Sequence, residues 1–180
     1  NMDREKAVDR PAGCYVTVPT MFHDKDLEVN LEATRQHVRF LIEGGLNEST
    51  GVILAAGAAG EFPMMSIDER LQVTEAIIEE ADGRIPVVMG AQTASTRELV
   101  ELVRAAKRLG AEYVQVSPPY YYVHTEEDFY EYVVAATEAA DIGIIIYNTF
   151  WTTQNVSLKM VERFCELPNL VGLKWAFPTA

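Results

Sequence analysis

Two cysteines, Cys14 and Cys165, are all that the 180 residues contain. Neither has a metal-ligand spacing or a flanking histidine, and both sit among apolar residues. They read as buried thiols in a reducing compartment, not as a disulfide or a catalytic thiol. Histidine is equally scarce: His23, His37 and His124 are scattered and form no ligand set, so no metal or other cofactor is expected. No apolar run approaches the roughly 20 residues that a membrane span needs. The segment from Asn1 to Arg10 is charged and lacks the apolar centre of a secretion signal, so a cytoplasmic protein with no membrane partner is expected. Basic residues are outnumbered, with 15 Lys+Arg against 27 Asp+Glu and a formal charge of −12. That balance argues against nucleic acid and anionic membrane as partners, because both reward basic surfaces. A small anionic substrate is not excluded, since it needs only a few local donors. Missing too is any Pro/Gly/Ser-rich linker. With 48% hydrophobic residues, the chain reads as one domain with a sizeable core.

What is present is an alternation. Short apolar runs, many of them β-branched, occupy Cys14 to Val18, Gly51 to Ala56, Pro86 to Gly90, Tyr113 to Ser117, Ile142 to Tyr147 and Leu170 to Lys174. Their continuous apolarity suits strands covered on both faces, as in a parallel sheet. The segments between them carry helix signals. Ser66 with Glu69 and Ser95 with Glu98 are spaced as capping boxes, and Thr125 before three acidic residues opens a third helix. Gly44 and Gly110 stand where left-handed caps should end the helices Leu31 to Glu43 and Thr96 to Leu109. Ser157 opens the helix Leu158 to Glu166, and Pro168 stops it. The sum is five strand-then-helix units and a sixth strand, after an N-terminal extension over residues 1–12.

Such a repeat builds either an open doubly wound sheet or an eight-stranded α/β barrel. The residues with chemical potential fall at the carboxyl ends of at least four strands, which favours the barrel; a doubly wound sheet gathers its site at one switch point. A barrel of about 250 residues is the norm. Residues 13–180 are therefore expected to supply the first six strands of a longer protein's (β/α)8 TIM barrel.

The strand-end residues are these. Gly57-Ala58-Ala59-Gly60-Glu61 is a glycine-bracketed loop that presents backbone N–H groups to a small anion or simply makes a tight turn. Ser117-Pro118-Pro119 leads into Tyr120, Tyr121 and Tyr122, which cannot all face a core; at least one should line a cleft or an interface. Tyr147 and Asn148 end the fifth strand. Lys174 lies in Val171-Gly172-Leu173-Lys174-Trp175-Ala176, where burial disfavours an ammonium. A neutral lysine amine is the nucleophile that a ketone requires; a lysine snorkelling from a strand end is the other reading.

Taken in order and spacing, the loop ending in Glu61, the Pro119-Tyr120-Tyr121 element, Tyr147-Asn148 and Gly172-Leu173-Lys174 resemble the dihydrodipicolinate synthase and N-acetylneuraminate lyase family. The likeness runs from about Gly13 to Ala176. It implies an eight-stranded α/β barrel, a Schiff base on Lys174, proton shuttling by Tyr147, and a role for Tyr121 across a subunit interface or in a relay. It also implies a substrate-binding loop at Ala58, Ala59 and Gly60, a homo-oligomer (tetramer or dimer), and a small-molecule 2-oxo acid substrate.

The departures narrow this. The family loop usually reads Gly-Thr-Thr-Gly-Glu, with one threonine in a hydroxyl relay to the tyrosine and the next on the substrate carboxylate; Ala58 and Ala59 replace both. Thr152 stands where the lysine-pathway enzyme has an arginine for its second substrate. Trp151 and Trp175 suggest a bulkier, more apolar pocket. The expectation is thus a divergent member: an aldolase or dehydratase of pyruvate or another 2-oxo acid. The rival is a non-catalytic relative that uses the barrel pocket for ligand binding or assembly.

Overall fold

Each apolar run becomes a strand: β1 (Cys14–Thr17), β2 (Gly51–Ala55), β3 (Val87–Gly90), β4 (Tyr113–Val116), β5 (Gly143–Thr149) and β6 (Leu170–Ala176). The computed structural model describes residues 2–149 and 156–176. All five pairings are parallel, and the strands lie side by side in chain order. No reversal interrupts that order, so there is no switch point and the doubly wound alternative falls. The helices α2 (Leu31–Glu43), α3 (Ile67–Ala81), α4 (Thr96–Leu109), α5 (Glu126–Ala139) and α6 (Leu158–Cys165) fill the crossovers. The result is a six-stranded arc of an α/β barrel.

Caps decide where these helices begin. Ser66 and Glu69 exchange both bonds of a capping box, as do Thr125 and Asp128. Ser95 accepts from the Glu98 N–H, but the Glu98 carboxylate turns to the Thr93 hydroxyl, so only half of that expected box forms. Gly110 takes the expected left-handed cap at φ 91°. Gly44 does not: it stays right-handed at φ −72°, and the left-handed residue is Gly45, at φ 104°. The chain turns one residue later than the pattern suggests.

Alternation divides the sheet into two faces. Outward residues pack with the helices in two apolar clusters. Inward ones, Val52, Leu54, Val88, Tyr113, Ile145 and Val171, fill the arc's concave side. Gly143 makes room there, because a Cβ on it would sit 2.5 Å from Cδ1 of Tyr113, its register partner on β4. The N-terminal extension is not merely a charged leader to the fold. Within it, α1 (Arg4–Asp9) places Ala7 in the interior cluster, and the Tyr113 hydroxyl donates to the Ala7 carbonyl at 3.0 Å. Arg10 adds an ion pair with Glu112 and another with Glu48. This helix closes the end of the arc opposite the strands' carboxyl termini.

Both cysteines, expected to be buried, are exposed. Cys14 starts β1, an edge strand of the described sheet, and Cys165 ends α6, so neither is covered by the layer its sequence neighbours reach. Strand β6 departs likewise: Leu170 and Val171 are buried, whereas the segment from Gly172 to Ala176 is partly open, with β5 its one neighbour among the described strands. Among the described residues no helix is long and apolar enough to cross a membrane.

Gly143→Ala should cost about 1–3 kcal/mol in urea denaturation, the range for overpacking a filled core. Adding Tyr113→Leu should recover part of that loss, and a purely additive double mutant would refute the contact as its cause.

Candidate active site

The parallel register of β5 and β6 sets Tyr147 directly beside Lys174. Both face inward, Tyr147 two residues beyond the interior Ile145. The Lys174 Nζ stands 4.3 Å from the centroid of the Tyr147 ring. A second ring approaches from across the arc, where Tyr15 on β1 lies 5.1 Å from the same nitrogen. Lys174 forms no ion pair with a described carboxylate, and burial lowers its pKa from the usual lysine value. The direction favours the neutral amine, which is the nucleophilic form.

The two phenols differ. Tyr147 is 6% exposed, and its hydroxyl donates to no described residue. Tyr15 donates to Gln115 Oε1 at 3.0 Å, and burial pushes its pKa well above the phenol range. Tyr15 is therefore a packing surface for the amine, while Tyr147 is the phenol available for proton exchange. Sequence reasoning passed over Tyr15 and Gln115. Strand parity was the available signal, since each occupies an inward position.

The loop after β2 is wound tightly. The Gly60 N–H donates to the Gly57 carbonyl at 3.0 Å, the Glu61 N–H donates to the Ala58 carbonyl at 3.0 Å, and the Gly60 carbonyl accepts from the Thr20 hydroxyl at 2.6 Å. Ala56 and Glu61 bracket the turn with left-handed backbones, at φ 50° and 57°. Of the three expected substrate-binding residues, Gly60 thus has its N–H engaged within the turn. Ala58 and Ala59 are exposed, and their N–H groups donate to no described residue. Ala58 reaches Tyr147 across a small cavity of about 30 Å³, together with Phe62, Gln92, Ser117 and Tyr120.

The tyrosine run splits at its first member. Tyr120 lines the cavity and meets Phe62 edge-on at 6.0 Å. Tyr121 is 88% exposed and turned away by a left-handed backbone at φ 87°, a conformation costly for a bulky side chain. Tyr122 packs on it at 4.9 Å. Trp175, expected to enlarge the pocket, follows Lys174 immediately and so projects from the opposite face of β6. Phe150, Trp151, Thr152 and Thr153 lie outside the described residues.

One buried cation organises the rim. Arg70 on α3 donates through Nη1 to the Gln92 carbonyl at 3.0 Å and through Nη2 to the Gly90 carbonyl at 2.7 Å. Its guanidinium also lies 5.2 Å from the Phe62 ring centroid. The bend after β3 is thereby tied to the loop after β2. No motif marked Arg70, which reads in sequence as an ordinary helix charge.

A model of the dihydrodipicolinate synthetase family matches residues 10–179. A 4-hydroxy-tetrahydrodipicolinate synthase of Bradyrhizobium diazoefficiens is 40% identical over 163 residues, which cover 90% of this chain and 53% of the relative. The enzyme of the same name from Laribacter hongkongensis is 39% identical over 151 residues, covering 83% and 50%. The crystal structure of a chloride-inhibited dihydrodipicolinate synthase from Acinetobacter baumannii, complexed with pyruvate, superposes with a TM-score of 0.84 at 36% identity, over 91% of this chain and 55% of that one. The chain spans about half the length of the relatives it matches.

Lys174→Met should raise Tm at pH 7. Between the lowered folded pKa and the unfolded value near 10.5 the unfolded chain binds more protons, so wild-type stability climbs with pH through that window. The gain from the substitution should accordingly shrink as pH rises toward 10.5. A gain independent of pH in thermal melts would show that the lysine's charge is not its source.

Proposed function

The chain belongs to the dihydrodipicolinate synthetase family, and from that premise we propose that the protein is a lyase, an aldolase or dehydratase, acting on pyruvate or another 2-oxo acid through a Schiff base on Lys174. The observation that carries this reading is the pairing of Lys174 with Tyr147 across β5 and β6, an amine shifted toward neutrality 4.3 Å from a phenol ring. The pyruvate bound by the Acinetobacter baumannii enzyme supports the substrate class.

The chemistry follows from these two groups. The neutral amine attacks the ketone carbon and forms a carbinolamine; loss of its hydroxyl as water leaves an iminium. The iminium draws electrons from the adjacent carbon, so a proton or a carbon substituent there departs and an enamine remains. Water returns at the end to release the product and the free amine. Tyr147 relays the protons that carbinolamine formation and collapse require, which calls for its hydroxyl to come within hydrogen-bond reach of that oxygen. Backbone N–H groups of Ala58 and Ala59 serve the substrate carboxylate.

The two alanines mark a divergence from dihydrodipicolinate synthesis itself. Each removes a hydroxyl that the family motif supplies, and a hydrogen bond to a charged group is worth about 1.5–3 kcal/mol. They also motivate the rival reading, a pocket that binds without reacting. Tyr121, projecting outward on a strained backbone, suits a contact made across an interface. A homo-oligomer, dimer or tetramer, in the cytoplasm is the assembly we favour.

Incubation of the full-length protein with pyruvate and borohydride, followed by peptide mass spectrometry, should place a reduced adduct on Lys174. No adduct across a panel of 2-oxo acids would favour the non-catalytic reading. Tyr147→Phe should lower kcat by about 100-fold or more, the scale of general acid–base catalysis, and change pyruvate binding by far less. Equal losses in both would remove Tyr147 from proton transfer.

A further inference from the structure

Iminium formation from a neutral amine and a ketone takes up one proton and releases one water, so a full positive charge appears on Lys174 Nζ. The described residues give that charge no carboxylate, and burial is the one cause of the lysine's lowered pKa. Val8, Pro11, Ile145 and Val171 line a cavity together with Tyr15 and Lys174, and they contribute only carbon side chains. A cation in such surroundings is costly unless something offsets its lost hydration. What does face the nitrogen is aromatic. The ring centroids of Tyr147 and Tyr15 stand 4.3 Å and 5.1 Å away, both within the roughly 6 Å over which a ring face attracts a cation.

The two rings are not equivalent. Tyr147 has a hydroxyl suited to moving protons, whereas the Tyr15 hydroxyl donates to Gln115 Oε1 at 3.0 Å, and Gln115 is wholly buried on β4. That bond crosses the arc from β1 and fixes the far end of the Tyr15 ring. Burial pushes the Tyr15 pKa up, so the phenol keeps its proton and the bond persists over the working range. Its face, and not its hydroxyl, is what Tyr15 offers to the amine.

We infer that Tyr15 is a further catalytic residue, its ring face stabilising the positive charge on the iminium nitrogen of Lys174 while Gln115 positions that face. This rests on the Schiff-base reading of Lys174. A carboxylate in the same place would hold the free amine as ammonium; a ring attracts a cation more weakly and leaves burial to favour the neutral form. Ammonium and iminium gain alike from the ring, so its removal tells only where the free amine is neutral. Among the described residues, the titratable groups that face Nζ are the phenols of β1 and β5, and α1 presents Val8 to the cavity.

The test measures pyruvate capture by the full-length protein, quenched with borohydride and read by intact mass, as a function of pyruvate concentration and pH. The wild-type profile should bend where ammonium gives way to neutral amine. Above the bend Tyr15→Leu should weaken capture about tenfold, the scale of a desolvated cation–ring contact, and below it the deficit should close. Tyr15→Phe, which keeps the face, should follow the wild type. Should Tyr15→Leu fail to fold, phenylalanines with successive ring fluorines at position 15 keep the shape and weaken the face, and capture above the bend should fall with each fluorine. A deficit equal on both sides of the bend, no deficit above it, a Tyr15→Phe profile like that of Tyr15→Leu, or indifference to fluorination overturns the inference and leaves the Schiff base standing. Absence of an adduct in the wild type overturns the Schiff-base reading instead.

Discussion

Parallel pairing of β5 with β6 is the constraint on which the site depends. In register, Tyr147 and Lys174 come abreast on one face; a slip by a single residue would send one of them among the helices. The pairing carries a shift between Ile144 and Ile145, so the in-step run that holds the two residues begins beyond an irregularity. Position, more than any special backbone at the lysine itself, brings amine and phenol together. Burial then does the electrostatic work, because no described carboxylate stands near enough to hold the ammonium.

Around that pair the two ends of the arc have different tasks. The end closed by α1 is consolidated by Tyr113, Gly143 and the ion pairs of Arg10, interactions that bear on stability and touch no reacting group. The opposite end holds the left-handed residues Ala56, Glu61 and Tyr121, together with unpaired polar atoms on Gln92 and Gln115. Strain and unsatisfied hydrogen bonding are thus concentrated where the strands finish, the end that carries active sites in α/β barrels.

Much of the frame was legible because it is local. Ser66 and Thr125 announce helix starts through side chains that bond their own neighbours, and the apolar runs announce covered strands. Lys174 and Tyr147 were legible for a different reason: a resemblance in order and spacing supplied the long-range pairing that periodicity cannot. What escaped depends on contacts distant in sequence. Helix α1 is short and charged, and only its packing against Tyr113, 106 positions away, explains it. Tyr15 matters through Gln115, and Arg70 through carbonyl oxygens that carry no trace of their identity in the sequence. Tyr120 rather than Tyr121 lines the cavity because a backbone reversal at Tyr121 intervenes, and three successive tyrosines give no hint of where it falls.

The grip of Arg70 has an evolutionary corollary. A guanidinium that holds main-chain carbonyls is indifferent to which side chains those residues bear, so the bend at Gly90 to Gln92 keeps its course while position 92 changes. Most pockets couple specificity to folding, since a residue that touches the ligand also packs the wall. Here the arginine holds the scaffold through the main chain, while the Gln92 side chain is itself buried against it. A substitution at 92 thus alters the packing at the bend without releasing the two bonds that fix its course.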